Sequence, residues 1–103
     1  MISYRIDFDR LGWVSPIPGM RHKVWEDGKK RVRMVEYTRE MEPHWCSRGH
    51  FGYILDGRFE IEFDNRTIVF EAGDGVFIPD GDDHRHRARV LSSSVRVVFV
   101  EDE

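Results

Sequence analysis

Two clusters of side chains in this chain have the types and spacing to hold a transition metal. The first is Pro43-His44-Trp45-Cys46-Ser47-Arg48-Gly49-His50, which puts two imidazoles and the only thiol of the chain within seven residues. On an extended backbone His44 and Cys46, two apart, face the same way. The second is His84, which follows the tract Gly73-Asp-Gly-Val-Phe-Ile-Pro79-Asp-Gly81-Asp-Asp. Imidazole nitrogen and thiolate sulfur bind zinc, iron, nickel or copper at about 2.0 to 2.3 Å, and the lack of a carboxylate disfavours magnesium and calcium. His44, Cys46, His50 and His84 are therefore the candidate metal ligands. Cys46 has a plainer alternative as a small buried hydrophobe. If it stays out, three histidines leave positions open to water, substrate or dioxygen, the state a catalytic metal needs.

Those residues must be positioned by strands and turns. Val76, Phe77 and Ile78 form an apolar run between glycines and Pro79, the pattern of a strand buried on both faces. Pro79 lacks a donor and should end the pairing, and Pro79-Asp80-Gly81-Asp82-Asp83 is turn chemistry with solvated aspartates. A new strand is expected to start at His84. Its period of two puts His84 and His86 on an inward face and Arg85, Arg87 and Arg89 on a solvated one. His86 is then either a ligand or a group supporting the ligands or touching substrate. Gly49 lets the backbone bend before His50.

The rest of the chain from residue 31 reads as short strands over 31–38, 50–55, 58–63, 67–70 and 95–100. Turns at Asp56-Gly57, Asp64-Asn65 and Ser92-Ser93-Ser94 separate them. This spacing predicts an all-β fold, an antiparallel barrel or jelly roll. Neighbouring strands lie about 4.8 Å apart, so imidazoles from separate strands can converge on one ion. Ile54, Phe59, Phe77 and Phe99 are expected to line or underpin an apolar pocket. Residues 1–30 are expected to be irregular, broken by Gly12, Pro16, Pro18, Gly19 and Gly28, with Trp13 and Trp25 packing on the barrel of residues 31–103 or on a second subunit. His22, in that segment, is expected to be unrelated to the site.

Composition narrows the function classes. A chain of 103 residues can bury one modest core, and 40% hydrophobic with 34% charged residues is too apolar for disorder and too polar for a membrane protein. A net charge of −3 with dispersed basic residues gives no footprint for nucleic acid, and no membrane-surface segment is evident. Acids near the N-terminus argue against a signal peptide, and a lone thiol suits a reducing compartment, so a cytoplasmic location is expected.

Gly73, Pro79, Gly81 and His84 match every fixed position of the second cupin motif, G(x)5PxG(x)2H, although Ala88 replaces the asparagine that usually follows. The first motif, G(x)5HxH(x)3-4E(x)6G, takes His44 as its first histidine, Cys46 as its second, His50 at the glutamate and Gly57 at the closing glycine, with Thr38 at the opening glycine. On these residues the chain resembles a small single-domain cupin of the RmlC-like superfamily over about residues 32 to 100. The resemblance implies a jelly-roll β-barrel, a bound divalent transition metal and a homodimer. It also implies a small-molecule ligand or substrate, with oxidation by a three-histidine iron centre or isomerisation as enzyme chemistry. The alternative is a non-catalytic sensor or binding cupin. Catalytic residues are unassigned. Tyr53, His86 and Glu36 are the nearby groups able to move a proton, and strand parity counts against Tyr53 because an inward His50 sends it outward.

Overall fold

Alternation along each strand decides which side chains enter the core. The structure, a computed structural model, describes residues 3–102. Along β3 (Lys30–Thr38) Arg33, Val35 and Tyr37 are buried, while β9 (Ser94–Asp102) buries Val95, Val97, Phe99 and Glu101. β4 (His50–Asp56) turns His50, Gly52 and Ile54 inward and leaves Phe51, Tyr53 and Leu55 exposed.

With β1 (Val14–Ile17), β2 (Met20–Glu26) and β7 (Gly75–Ile78) these strands form a six-stranded sheet in the order β1-β2-β3-β9-β4-β7. The second sheet has the order β6-β5-β8, from β5 (Arg58–Glu62), β6 (Thr67–Glu71) and β8 (Arg87–Val90). All pairings are antiparallel. Phe59 and Ile61 of the small sheet meet Val35, Ile54, Val95 and Val97 of the large one in a single core. This is the all-β, antiparallel jelly roll expected from the turn spacing. Because β9 returns between β3 and β4, the last strand lays Glu101 directly opposite Arg31.

Two expectations are corrected. Residues 14–26 are a hairpin rather than irregular chain, with Ile17 opposite Met20 across Pro18-Gly19. Proline at the first central position and a glycine at φ +79° at the second are the signature of a type II turn, so these breakers punctuate strands instead of abolishing them. Trp13 packs within the chain, under the guanidiniums of Arg21 at 4.1 Å and Arg96 at 5.6 Å, and Trp25 pairs with Val32 in the sheet. The second correction concerns β7, which is not buried on both faces. Val76 and Ile78 are buried, but Phe77 is 73% exposed, because β7 is the sheet's edge and among the described residues nothing covers its outer face. Phe77 therefore does not belong to the interior, whereas Ile54, Phe59 and Phe99 do.

Candidate functional site

His50 owes its position to close backbone packing. Gly49 has no positive φ; instead a Cβ on it would lie 2.3 Å from the Ile78 carbonyl oxygen, so only glycine lets β4 start against the Pro79 turn. Its N–H donates to Asp80 Oδ1 at 2.5 Å. The His50 ring stacks on Phe99 with centroids 4.4 Å apart. Its Nδ1 is 3.6 Å from Glu101 Oε2, too long for a hydrogen bond, and is buried without a partner.

His86 is held by a two-way backbone bridge to Cys46, each N–H donating to the other's carbonyl at 2.9 Å. Its Nδ1 lies 3.0 Å from the His84 carbonyl, so that nitrogen carries the proton and donates. Nε2 is then a bare acceptor, buried with no partner. Burial, with His50 and His44 nearby, lowers the pKa of the ring against the opposing effect of that hydrogen bond, keeping it neutral.

A cavity of about 210 Å³ joins these groups, lined among others by Tyr37, His44, Cys46, His50 and His86. His44 is exposed, with Nδ1 3.3 Å from the Glu42 carbonyl. Cys46 is half-buried, and its sulfur accepts from the Arg48 N–H at 3.4 Å. Burial pushes the Tyr37 hydroxyl up to about 12, so it stays a donor. Three of the four expected ligands thus border one space.

His84 does not. It ends a 3-10 turn, Asp82–His84, is exposed, and borders a separate cavity with Phe63, Asp64 and Pro79. The alternation expected from residue 84 presumed a strand there. The turn occupies those residues, β8 begins only at Arg87, and His86 is the inward imidazole. Arg85, Arg87 and Arg89 pair with Asp64, Glu62 and Glu60, as a solvated face would. Among the described residues no three His, Cys, Asp or Glu side chains converge tightly enough to hold a metal ion as they stand.

The wall beside His50 is a buried ion network. Arg33 forks onto both oxygens of Glu101 at 2.7 and 2.9 Å, and Arg31 donates to Oε1 as well. Burial alone would push the Glu101 carboxyl up. The Arg33 and Arg31 guanidiniums, hydrogen-bonded to it, outweigh burial and hold that carboxyl well below the usual carboxylate range. His22 joins the network, its Nδ1 3.2 Å from Arg33, which corrects the expectation that it lies apart. Glu36, by contrast, faces away and pairs with Arg21 and Arg96. Arg33, Tyr37 and Glu101 were legible in principle, since Arg33 and Tyr37 share parity with Val35, and Glu101 with Val97 and Phe99.

The family profile described as Cupin domain matches residues 33–101. Several solved structures share the fold. KdgF from Halomonas sp. is 24% identical, covers 97% of this chain and 94% of its own, and superposes with a TM-score of 0.77. An RmlC-like cupin from Shewanella frigidimarina is 13% identical, with 98% and 91% coverage and a TM-score of 0.77. The polyketide cyclase RemF from Streptomyces resistomycificus is 19% identical, with 98% and 80% coverage and a TM-score of 0.77. At these identities the likeness is one of fold. No curated protein matches the chain in sequence.

Proposed function

Because the chain belongs to the cupin family, we propose that it is a metal-binding small cupin that binds or transforms a small organic molecule in the cavity bordered by His50 and His86. One observation carries this reading. Buried polar atoms are nearly always partnered, yet His50 Nδ1 and His86 Nε2 are both buried without a partner, on rings whose centroids are 5.2 Å apart. Nitrogen and sulfur donors fit zinc, iron, nickel or copper. His50 and His86 would hold the ion, with His44 and Cys46 as the neighbouring donors and His84 outside the set. A bound metal would polarise a substrate oxygen or activate dioxygen, which suits isomerisation or oxidation. Around it Tyr37 would donate a hydrogen bond to the ligand and Phe99 would keep His50 in place. A reducing cytoplasm would keep the lone thiol free.

Elemental analysis of protein purified without an affinity tag tests the reading. Near-stoichiometric transition metal is expected in the native protein and in His84→Ala, with most of it lost in His50→Ala and His86→Ala. Native protein with little metal would sink the proposal. It would favour the second reading, a binding module without metal, which the absence of three converging donors among the described residues supports.

We also propose a homodimer through the outer face of β4 and β7. Phe51 and Phe77 pair across these strands at the sheet edge, 61% and 73% exposed, beside Tyr53 at 52%. A cluster of exposed aromatic side chains at a sheet edge is a natural association surface. Phe77→Asp should convert the dimer to monomer in light scattering and abolish the concentration dependence of the melting temperature that the native dimer shows. A native protein that is monomeric at high micromolar concentration would rule the dimer out.

A further inference from the structure

The ion network beside His50 reaches back to β2 through a contact whose direction is fixed by chemistry. Arg33 Nη1 lies 3.2 Å from His22 Nδ1. A guanidinium carries N–H donors only and keeps its charge, so the ring nitrogen must be the acceptor. His22 is therefore neutral, bare at Nδ1 and protonated at Nε2. The same guanidinium gives its Nε–H to Glu101 Oε1 at 2.7 Å and an Nη2–H to Oε2 at 2.9 Å. The chain of contacts thus runs from His22 on β2 through Arg33 on β3 and Glu101 on β9 towards His50 on β4, whose Nδ1 stands 3.6 Å from Glu101 Oε2. Arg33 and His50 both line the cavity of about 210 Å³.

A proton added to His22 sets donor against donor. Nδ1–H can no longer accept from Arg33, and Arg33, with 9% side-chain exposure, has little water to replace the lost acceptor. The new charge also falls among cations. Arg33 and Arg31 face the ring from β3 and Glu101 from β9, while β1, paired with β2 on its other side, carries no titratable side chain. Burial, then Arg33 and Arg31, hold the imidazole below its ordinary value of 6.5 against the opposing pull of Glu101. Once protonated, the ring competes with both guanidiniums for the one carboxylate of Glu101. We propose that His22 is a proton-sensitive support of the cavity wall: neutral, it holds Arg33 in its fork on Glu101; protonated, it releases Arg33 and loosens the wall beside His50.

The support needs neither the metal nor a ligand, so it stands or falls apart from the proposed function. NMR titration of the full-length protein, native and chelator-treated, between about pH 8 and about pH 5 tests it. His22 should carry its proton on Nε2 at the upper end and titrate below 6.5. The Arg33 guanidinium and His50 ring resonances should show a step at the His22 midpoint. His22→Gln, whose amide oxygen accepts from Arg33 but takes up no proton, should erase that step and keep the native melting temperature at neutral pH. His22→Leu, which accepts nothing, should show the released Arg33 resonances at every pH. Arg33→Met should raise the His22 midpoint by about half a pH unit or more, because it removes a neighbouring positive charge. Linkage has the matching sign. A folded value below the unfolded 6.5 makes His22 cost stability as pH falls from 6.5 towards the folded midpoint, and His22→Gln should flatten that part of the decline. A His22 midpoint at or above 6.5, Arg33 resonances that ignore the titration, or a His22→Gln protein that keeps the step would each overturn the proposal.

Discussion

Glu101→Ala is expected to destabilise the fold by about 3 to 5 kcal/mol, the usual consequence of removing one partner from a buried ion pair. Its carboxylate is almost fully buried, with side-chain exposure of 4%, and Arg33 beside it has 9%. Without Glu101 the Arg33 guanidinium loses its one ion-pair partner among the described residues while it is only 9% exposed, whereas Arg31, at 22%, is better hydrated. Adding Arg33→Met should recover part of the loss, because it removes the stranded charge. Urea denaturation measures both effects. A loss below about 1 kcal/mol would mean that solvent screens the network as it screens surface pairs. The pH dependence has a definite sign. Glu101 is held below its ordinary value of 4.5, so at lower pH the unfolded chain binds a proton that the folded one does not. The stabilisation is complete above pH 4.5 and declines as pH falls towards the folded value. Glu101→Ala should flatten the native protein's decline below pH 4.5.

The fold was legible because turns and alternation are local. Asp56-Gly57 ends β4 where Gly57 adopts φ +86°, and Phe59 and Ile61 enter the core by simple parity. The site was only partly legible, for two physical reasons. At His84 the aspartates that mark a turn extend it as a 3-10 turn to residue 84, so a parity count begun there starts too early. Parity alone also cannot tell a buried ion pair from a solvated one. Arg33 and Glu101 lie 68 positions apart, and only the placement of β9 beside β3 reveals that their charges cancel inside the barrel. Local reading favours solvated arginines, and that holds for Arg85 and Arg89 but fails for Arg33.

The second large effect expected is from Gly49→Ala, which should lower stability by about 1 to 3 kcal/mol, the range for overpacking. A Cβ there meets only backbone, at 2.3 Å from Ile78 O, 2.7 Å from Asp80 N and 2.8 Å from Pro79 C, so no side chain can swing aside. The segments it would force apart are stitched together. Gly81 N donates to Ser47 O at 2.9 Å, Ser47 Oγ donates to Asp82 Oδ1 at 2.7 Å, and His50 pairs with Ile78. Separation would draw His50 off the Phe99 ring and away from the cavity. The variant should therefore lose ligand and metal binding more than its stability alone requires, with changed His50 ring resonances in NMR. Gly12→Ala is the control, since a Cβ at Gly12 meets nothing within 4 Å. If Gly49→Ala proves as stable as that control and leaves the His50 resonances in place, close packing against the Pro79 turn is not what aims His50 at the cavity.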